Sequence, residues 1–268
     1  MNGIESVLSE LQRFAEAATA NPKLDEMEAA VRELWRRHRV DEMRRTLRVA
    51  LETSGAKLPS ADFEAIACGR VDTSDRSYAV AKAFLEGSEN FLILGGDYGV
   101  GKSFGTLAAI AELVVKPRVR QWAADVEAKI GLGGFDLART PAENLALIAP
   151  PDASSRVLPL GFAWWLGGSL SSTWEPWRDE RARGAKPGNR NAPVLVVDDL
   201  ASEPESDRET AALEQLVEHR LGLRTILTTN ASPTQLRARY GLRAGDRIGH
   251  LGRRVHVEGP SRRRGSAW

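Results

Sequence analysis

The chain has 268 residues, 42% hydrophobic and 27% charged, with a formal net charge of +1. That is apolar material for one large domain, or a core with a small appendage, and too little net charge for the whole chain to attract nucleic acid; any basic surface must come from local clustering. The lone cysteine, Cys68, excludes an internal disulfide and a cysteine zinc site and fits a reducing, cytoplasmic setting, and its apolar neighbours predict a buried, inert thiol.

No apolar stretch reaches membrane-spanning length, and the amino-terminal residues carry no signal-peptide pattern, so a soluble protein without membrane contact is expected. Residues 1–55 read as a separate helical extension. Ile4, Val7, Leu8, Leu11, Phe14 and Ala18 form one apolar stripe. Asn21-Pro22 then stops that helix and starts a second, marked by Leu24, Met27, Val31, Leu34 and Trp35. Met43, Leu47 and Leu51 continue it or begin a third. Arg32, Arg36, Arg37, Arg44, Arg45 and Arg48, set among glutamates, make either a solvated face or a hairpin that docks on a partner. Thr53-Ser54-Gly55 and Lys57-Leu58-Pro59 link this region to a second one, residues 56–268. That region opens with short helices over Ala61–Ala67 and Ser77–Phe84.

The apolar run Phe91-Leu92-Ile93-Leu94 leads into Gly96-Asp97-Tyr98-Gly99-Val100-Gly101-Lys102-Ser103, which fits G-x-x-x-x-G-K-[ST] at every fixed position. Phe104 and the residues after it are helix-compatible, which completes the strand–loop–helix context. Such a loop wraps backbone N–H groups around phosphate oxygens at a helix N-terminus. Gly96 to Ser103, with Phe104, are therefore the expected contacts for ATP. Lys102 would reach the β- and γ-phosphates, and Ser103 would ligate Mg²⁺.

Lys116-Pro117 predicts a break. Residues 119–155 hold a helix at Trp122–Ile130, a Gly-rich turn and a short helix at Pro141–Leu147, and read as an insertion because they are long for a core connection. A strand over Leu158–Trp165 and a helix over Ser171–Arg183 follow. In the latter, Trp174 and Trp177 beside Arg181, Arg183, Lys186 and Arg190 would suit stacking on bases, or simply a half-buried helix with a basic loop.

Val194-Leu195-Val196-Val197-Asp198-Asp199 has the pattern of a strand buried on both faces that ends in two carboxylates. Ligands in open α/β sheets bind at that edge. Asp198 would hold Mg²⁺, and Asp199 would orient the attacking water. After a helix over Glu209–Leu221, Thr225–Asn230 reads as another buried strand, with Asn230 placed to bond the γ-phosphate or its water. A helix over Gln235–Tyr240, an arginine-rich tail with a possible transition-state cation and a short strand at Val255–Gly259 close the chain.

Taken together these residues resemble the AAA+ ATPases of the DnaC/DnaI helicase-loader and IstB-like family. The resemblance runs from about Leu58 to Arg263. It rests on Gly96–Ser103, on Val194–Leu200 followed by Glu203, on Arg220 with Thr228-Thr229-Asn230, and on Asp246-Arg247-Ile248 and Gly259–Arg263. It implies an α/β fold with a parallel five-stranded sheet of order 5-1-4-3-2 between helices. It also implies sensor 1 at Asn230, an arginine finger at Arg247 acting on a neighbouring subunit, and sensor 2 at Arg262 or Arg263. By the same resemblance the protein would be an ATP-dependent homo-oligomer that loads a replicative helicase and binds single-stranded DNA, with residues 1–55 gripping the partner. The alternatives are an IstB-like helper that binds double-stranded DNA and a transposase, and a nucleotide-gated interaction protein with negligible turnover. Two departures stand out: His250-Leu251 occupies the place of the family's second arginine, shifting part of its role to Arg253 or Arg254, and residues 119–155 are atypical.

Overall fold

The computed structural model describes residues 22–148, 161–172, 193–202 and 205–261. In chain order these form α1 (Pro22–Glu52), α2 (Ser60–Ala67), α3 (Arg76–Glu86), β1 (Phe91–Gly96), α4 (Lys102–Ile110), α5 (Lys116–Ile130) and α6 (Pro141–Ile148). They continue with β2 (Phe162–Leu166), β3 (Val194–Leu200), α7 (Asp207–His219), β4 (Arg224–Thr229), α8 (Pro233–Leu251) and β5 (Gly252–Val257). The apolar stripe of residues 4–18, the tryptophan–arginine segment 173–190 and Glu203 lie outside the described residues.

The chain divides into two compact units, one made of residues up to Thr46 with Arg118–Leu158, the other of Leu47–Pro117 with Pro159 onward. In the first unit, Val31 and Trp35 of α1 bury against Ala123, Val126 and Ile130 of α5. The rings of Trp35 and Trp122 meet edge to face, centroids 5.9 Å apart. The stretch read as an insertion thus supplies the apolar surface that α1 covers. Along α1 the arginines pair with carboxylates one turn away, Arg37 with Glu33 at 2.8 Å and Arg44 with Asp41 at 3.6 Å. Arg39 reaches Glu127 of α5 at 3.0 Å.

The second unit is built on a five-stranded sheet of order β2-β3-β4-β1-β5, with every pairing parallel. Read from the other edge, this is the expected 5-1-4-3-2. β1 and β3 are the central apolar runs of the sequence, and a parallel sheet covered on both faces accounts for their near-continuous burial. On one face Phe91, Ile93, Leu195, Val197 and Leu227 form a core with Leu213, Leu216 and Val217 of α7 and with Leu236, Tyr240 and Ile248 of α8.

Several local expectations shift. From Met27 to Leu51 the chain is one helix, so Met43, Leu47 and Leu51 continue the second helix and do not begin a third. Lys116-Pro117 does not end the helical stretch: a π-helical turn at Ala111–Val115 leads directly into α5, which begins at Lys116. α8 runs on to Leu251 after a non-helical residue at Gly241 (φ 73°). Cys68 is only half-buried, and its thiol donates to Glu64 at 3.1 Å. Among the described residues no helix is long and apolar enough to cross a membrane.

Candidate functional site

The site lies where β1, β3 and β4 end. β1 leads into the Gly-rich loop, and Gly101 caps α4 with φ 94°, a left-handed conformation that costs glycine nothing. Val100, Lys102 and Phe104 are buried, whereas Tyr98, at the tip of the loop, is 69% exposed. The Lys102 ammonium donates to the Gly96 and Asp97 carbonyls, both at 2.8 Å, and to Asn230 Oδ1 at 2.7 Å. Residues distant in the chain therefore meet at this amine.

Asn230 continues the connection, its Nδ2 donating to Asp199 Oδ1 at 2.7 Å. Lys102, Asn230 and Asp199 form one hydrogen-bonded path from the phosphate loop to the end of β3. A second path runs beneath it. Ser103 Oγ donates to Asp198 Oδ1 at 2.7 Å, and Thr228 Oγ1 donates to the same oxygen at 2.6 Å. Thr228 Oγ1 also accepts the Asp199 N–H at 2.9 Å. Burial pushes the Asp198 carboxyl above its ordinary range, and the hydroxyls of Thr228 and Ser103 pull the other way.

The backbone at the two aspartates departs from a regular strand. The β3–β4 register slips between Val197 and Leu200, and Asp199 and Ala201 take φ values of 60° and 72°. A bulge beside a site re-aims a side chain. Here Asp199 turns to Asn230 while Asp198 stays on Ser103. Gly167, which follows β2, permits this bend: a Cβ on it would lie 2.5 Å from the Asp199 carbonyl oxygen and 2.7 Å from Leu200 Cα.

The hydroxyl–carboxylate pair of Ser103 and Asp198 is a hard-oxygen donor set that fits Mg²⁺, an ion held through one or two carboxylates together with water and phosphate oxygens. Among the described residues no cluster of three or more His, Cys, Asp or Glu gathers to hold a metal. A cleft of about 440 Å³ opens beside Asp199 and Asn230, also lined by Tyr98, Glu205, Gln235 and Arg239.

Of the residues expected to act, Lys102, Ser103, Asp198, Asp199 and Asn230 come together. Arg247 does not join them. It lines a separate apolar notch of about 310 Å³ with Val217, Leu221 and His250. Arg262 and Arg263 lie outside the described residues; Ser261 approaches the loop, its Oγ 2.2 Å from where a Cβ on Gly99 would sit. Arg220, grouped with Thr228-Thr229-Asn230 in the motif, serves the other end of β4. Fully buried, it donates to Thr225 Oγ1 at 3.0 Å and to the Arg224 carbonyl, and burial lowers its pKa to about 10.

Sequence reasoning missed Gly167, and it named Thr228 only as a motif member and Arg254 only as an alternative to Arg253, without the contacts they make here. Thr228 sits inside an apolar strand where threonine is unremarkable, and only its position opposite Asp198 reveals the role. No signal pointed to Gly167.

No protein-family model matches this chain, and no curated protein sequence matches it. Several solved structures are similar to it, among them those of the DnaC helicase loader and DnaI. The crystal structure of the DnaC helicase loader is 16% identical, with a TM-score of 0.41, over 70% of this chain and 92% of that one. The crystal structure of DnaI is 18% identical, with a TM-score of 0.40, over 72% and 88%. The likeness is loose, and the reading of this chain rests on its own strand order and site residues.

Proposed function

We propose that this chain binds ATP with Mg²⁺ and hydrolyses it. The observation that carries the reading is the hydrogen-bonded path from Lys102 through Asn230 to Asp199 at the carboxyl edge of a parallel sheet. In this reading the loop amides and Lys102 hold the β- and γ-phosphates. Asp199 orients the attacking water and accepts its proton, and Asn230 fixes the Asp199 carboxylate while bonding the γ-phosphate or the water. Ser103 and Asp198 would hold Mg²⁺, which supplies positive charge to the phosphate oxygens. The cation for the transition state is Arg247 of a neighbouring copy, so turnover depends on an ATP-bound homo-oligomer.

The task this serves is loading of a replicative helicase onto single-stranded DNA. Support comes from the motif set named above and from the charge pattern of α1. Most of its arginines are matched by carboxylates on the same helix, which suits a protein partner better than phosphates. Residues 1–55 are then the partner-binding region and 56–268 the ATPase domain.

The test compares Mg²⁺-dependent turnover and nucleotide binding in wild type, Lys102→Ala, Asp199→Asn and Arg247→Ala. Lys102→Ala should lose binding. Asp199→Asn should keep it while losing turnover by about 10²-fold or more. Arg247→Ala should lose about 10³-fold or more and regain activity when mixed with Lys102→Ala subunits that supply the arginine. Near-normal turnover in Asp199→Asn would sink the catalytic assignment. Capture of a replicative helicase by wild type but not by a chain lacking residues 1–52 supports the loader role; ATP-dependent filaments on duplex DNA with a transposase would replace it.

A further inference from the structure

β5 is an edge strand, two places from β4, yet one of its side chains reaches the turn that follows β4. Arg254 pairs in register with Ile93 of β1, and β1 separates β5 from β4. The Arg254 side chain passes over β1 at Gly95, where a Cβ would lie 3.3 Å from Nη2. Beyond that point Nη2 donates to the Ala231 carbonyl at 3.1 Å. Ala231 stands between Asn230, which bridges Lys102 and Asp199, and Ser232, the N-cap of α8. A charged donor makes a bond roughly twice as strong as a neutral one. Arg254 is half-buried, and that burial lowers its pKa below the usual arginine range. Three residues further along, the Val257 carbonyl closes on Gly96, 2.2 Å from where a Cβ would sit. The same edge strand therefore braces both the phosphate loop and the turn that follows β4.

We propose that Arg254 is a positioning residue that pins the Asn230–Ala231 turn so that the Asn230 amide spans Lys102 and Asp199. Its catalytic consequence rests on the ATPase reading above. The Asn230 side chain has to accept from one partner and donate to another at once, both at 2.7 Å, which tolerates little drift of its backbone. Arg254 removes that drift without touching the nucleotide.

The experiment measures turnover, nucleotide affinity and amide hydrogen exchange of residues 229–236 in wild type, Arg254→Ala, Arg254→Lys, Asn230→Ala and the Arg254→Ala/Asn230→Ala double variant. Arg254→Ala should lower kcat on the order of 10- to 100-fold, the scale of a small misplacement in a catalytic group. Nucleotide affinity should hold within about twofold, since the loop and Lys102 remain. Arg254→Lys should recover part of the rate. In the double variant, Arg254→Ala should cost nothing beyond Asn230→Ala. Exchange across 229–236 should rise in Arg254→Ala. Wild-type exchange in that segment, or full multiplicative losses in the double variant, overturns the proposal. If wild type itself does not turn over ATP, the ATPase reading fails and the exchange comparison alone decides the clamp. Should Arg254→Ala not fold, Arg254→Gln takes its place under the same criteria.

Discussion

Replacing Thr228 by valine keeps the shape of a side chain that is 1% exposed and deletes one oxygen. That oxygen donates to Asp198 at 2.6 Å and accepts from the Asp199 N–H at 2.9 Å. A hydrogen bond to a charged group contributes about 1.5–3 kcal/mol, and a buried N–H left without a partner costs about 1–3 kcal/mol. Both losses act through one atom and will not add fully, so roughly 2–4 kcal/mol of destabilisation is expected. Thr228→Ser keeps the oxygen and removes one methyl, about 0.8 kcal/mol. Urea unfolding of the three proteins, followed by far-UV circular dichroism, reads the difference.

The same change has a pH signature. Burial already holds the Asp198 carboxyl above its ordinary range, and the Thr228 hydroxyl opposes that. Because the folded state holds this proton more tightly than the unfolded chain, the group's contribution to stability is most favourable below the ordinary carboxylate range. It declines as pH rises through the folded value. Without the hydroxyl the folded value climbs further, so the decline in stability with rising pH should extend to a higher pH in Thr228→Val. A valine variant within about 0.5 kcal/mol of wild type, or a serine variant as damaged as the valine one, would refute the reasoning.

Gly167→Ala should destabilise by about 1–3 kcal/mol and abolish turnover, since its Cβ would strike backbone at Asp199 and Leu200. Wild-type values for both the urea midpoint and the rate would count against it. Trp35→Ala should cost about 3–5 kcal/mol, seen as faster amide exchange in α1 and α5, because Trp35 is 2% exposed and packed on Trp122. Unaltered exchange there would contradict that. Glu112 accepts from Lys82 at 2.7 Å and from Tyr78 at 2.5 Å, and the Lys82 bond, then Tyr78, holds its carboxyl below the ordinary 4.5. The stability this contributes is complete above pH 4.5 and is lost as pH falls through the lowered value; Glu112→Gln should flatten that acid limb of the thermal-stability profile, and an unchanged limb would rule the link out.

The parts of this protein that the sequence alone determined are those written in contiguous residues. The phosphate loop between Leu94 and Phe104, the run Val194–Asp199 and the strand ending at Asn230 each carry their own hydrophobic period and their own polar stop, so element type and site edge follow locally. Strand order came from resemblance, since nothing in the spacing of apolar runs states which strands pair. What tertiary structure decided depends on register and close approach. Thr228 acts because β3 and β4 pair with Asp198 beside it, and Asp199 turns because the register slips next to a glycine near the end of β2. Arg254 reaches the site because Gly95 lacks a side chain on the strand between. The union of α1 with residues 118–148 likewise depends on Trp35 meeting Trp122 from far along the chain. Each is a contact between residues remote in sequence, and the physical cause, van der Waals fit and a satisfied buried hydrogen bond, exists only once the chain has closed on itself.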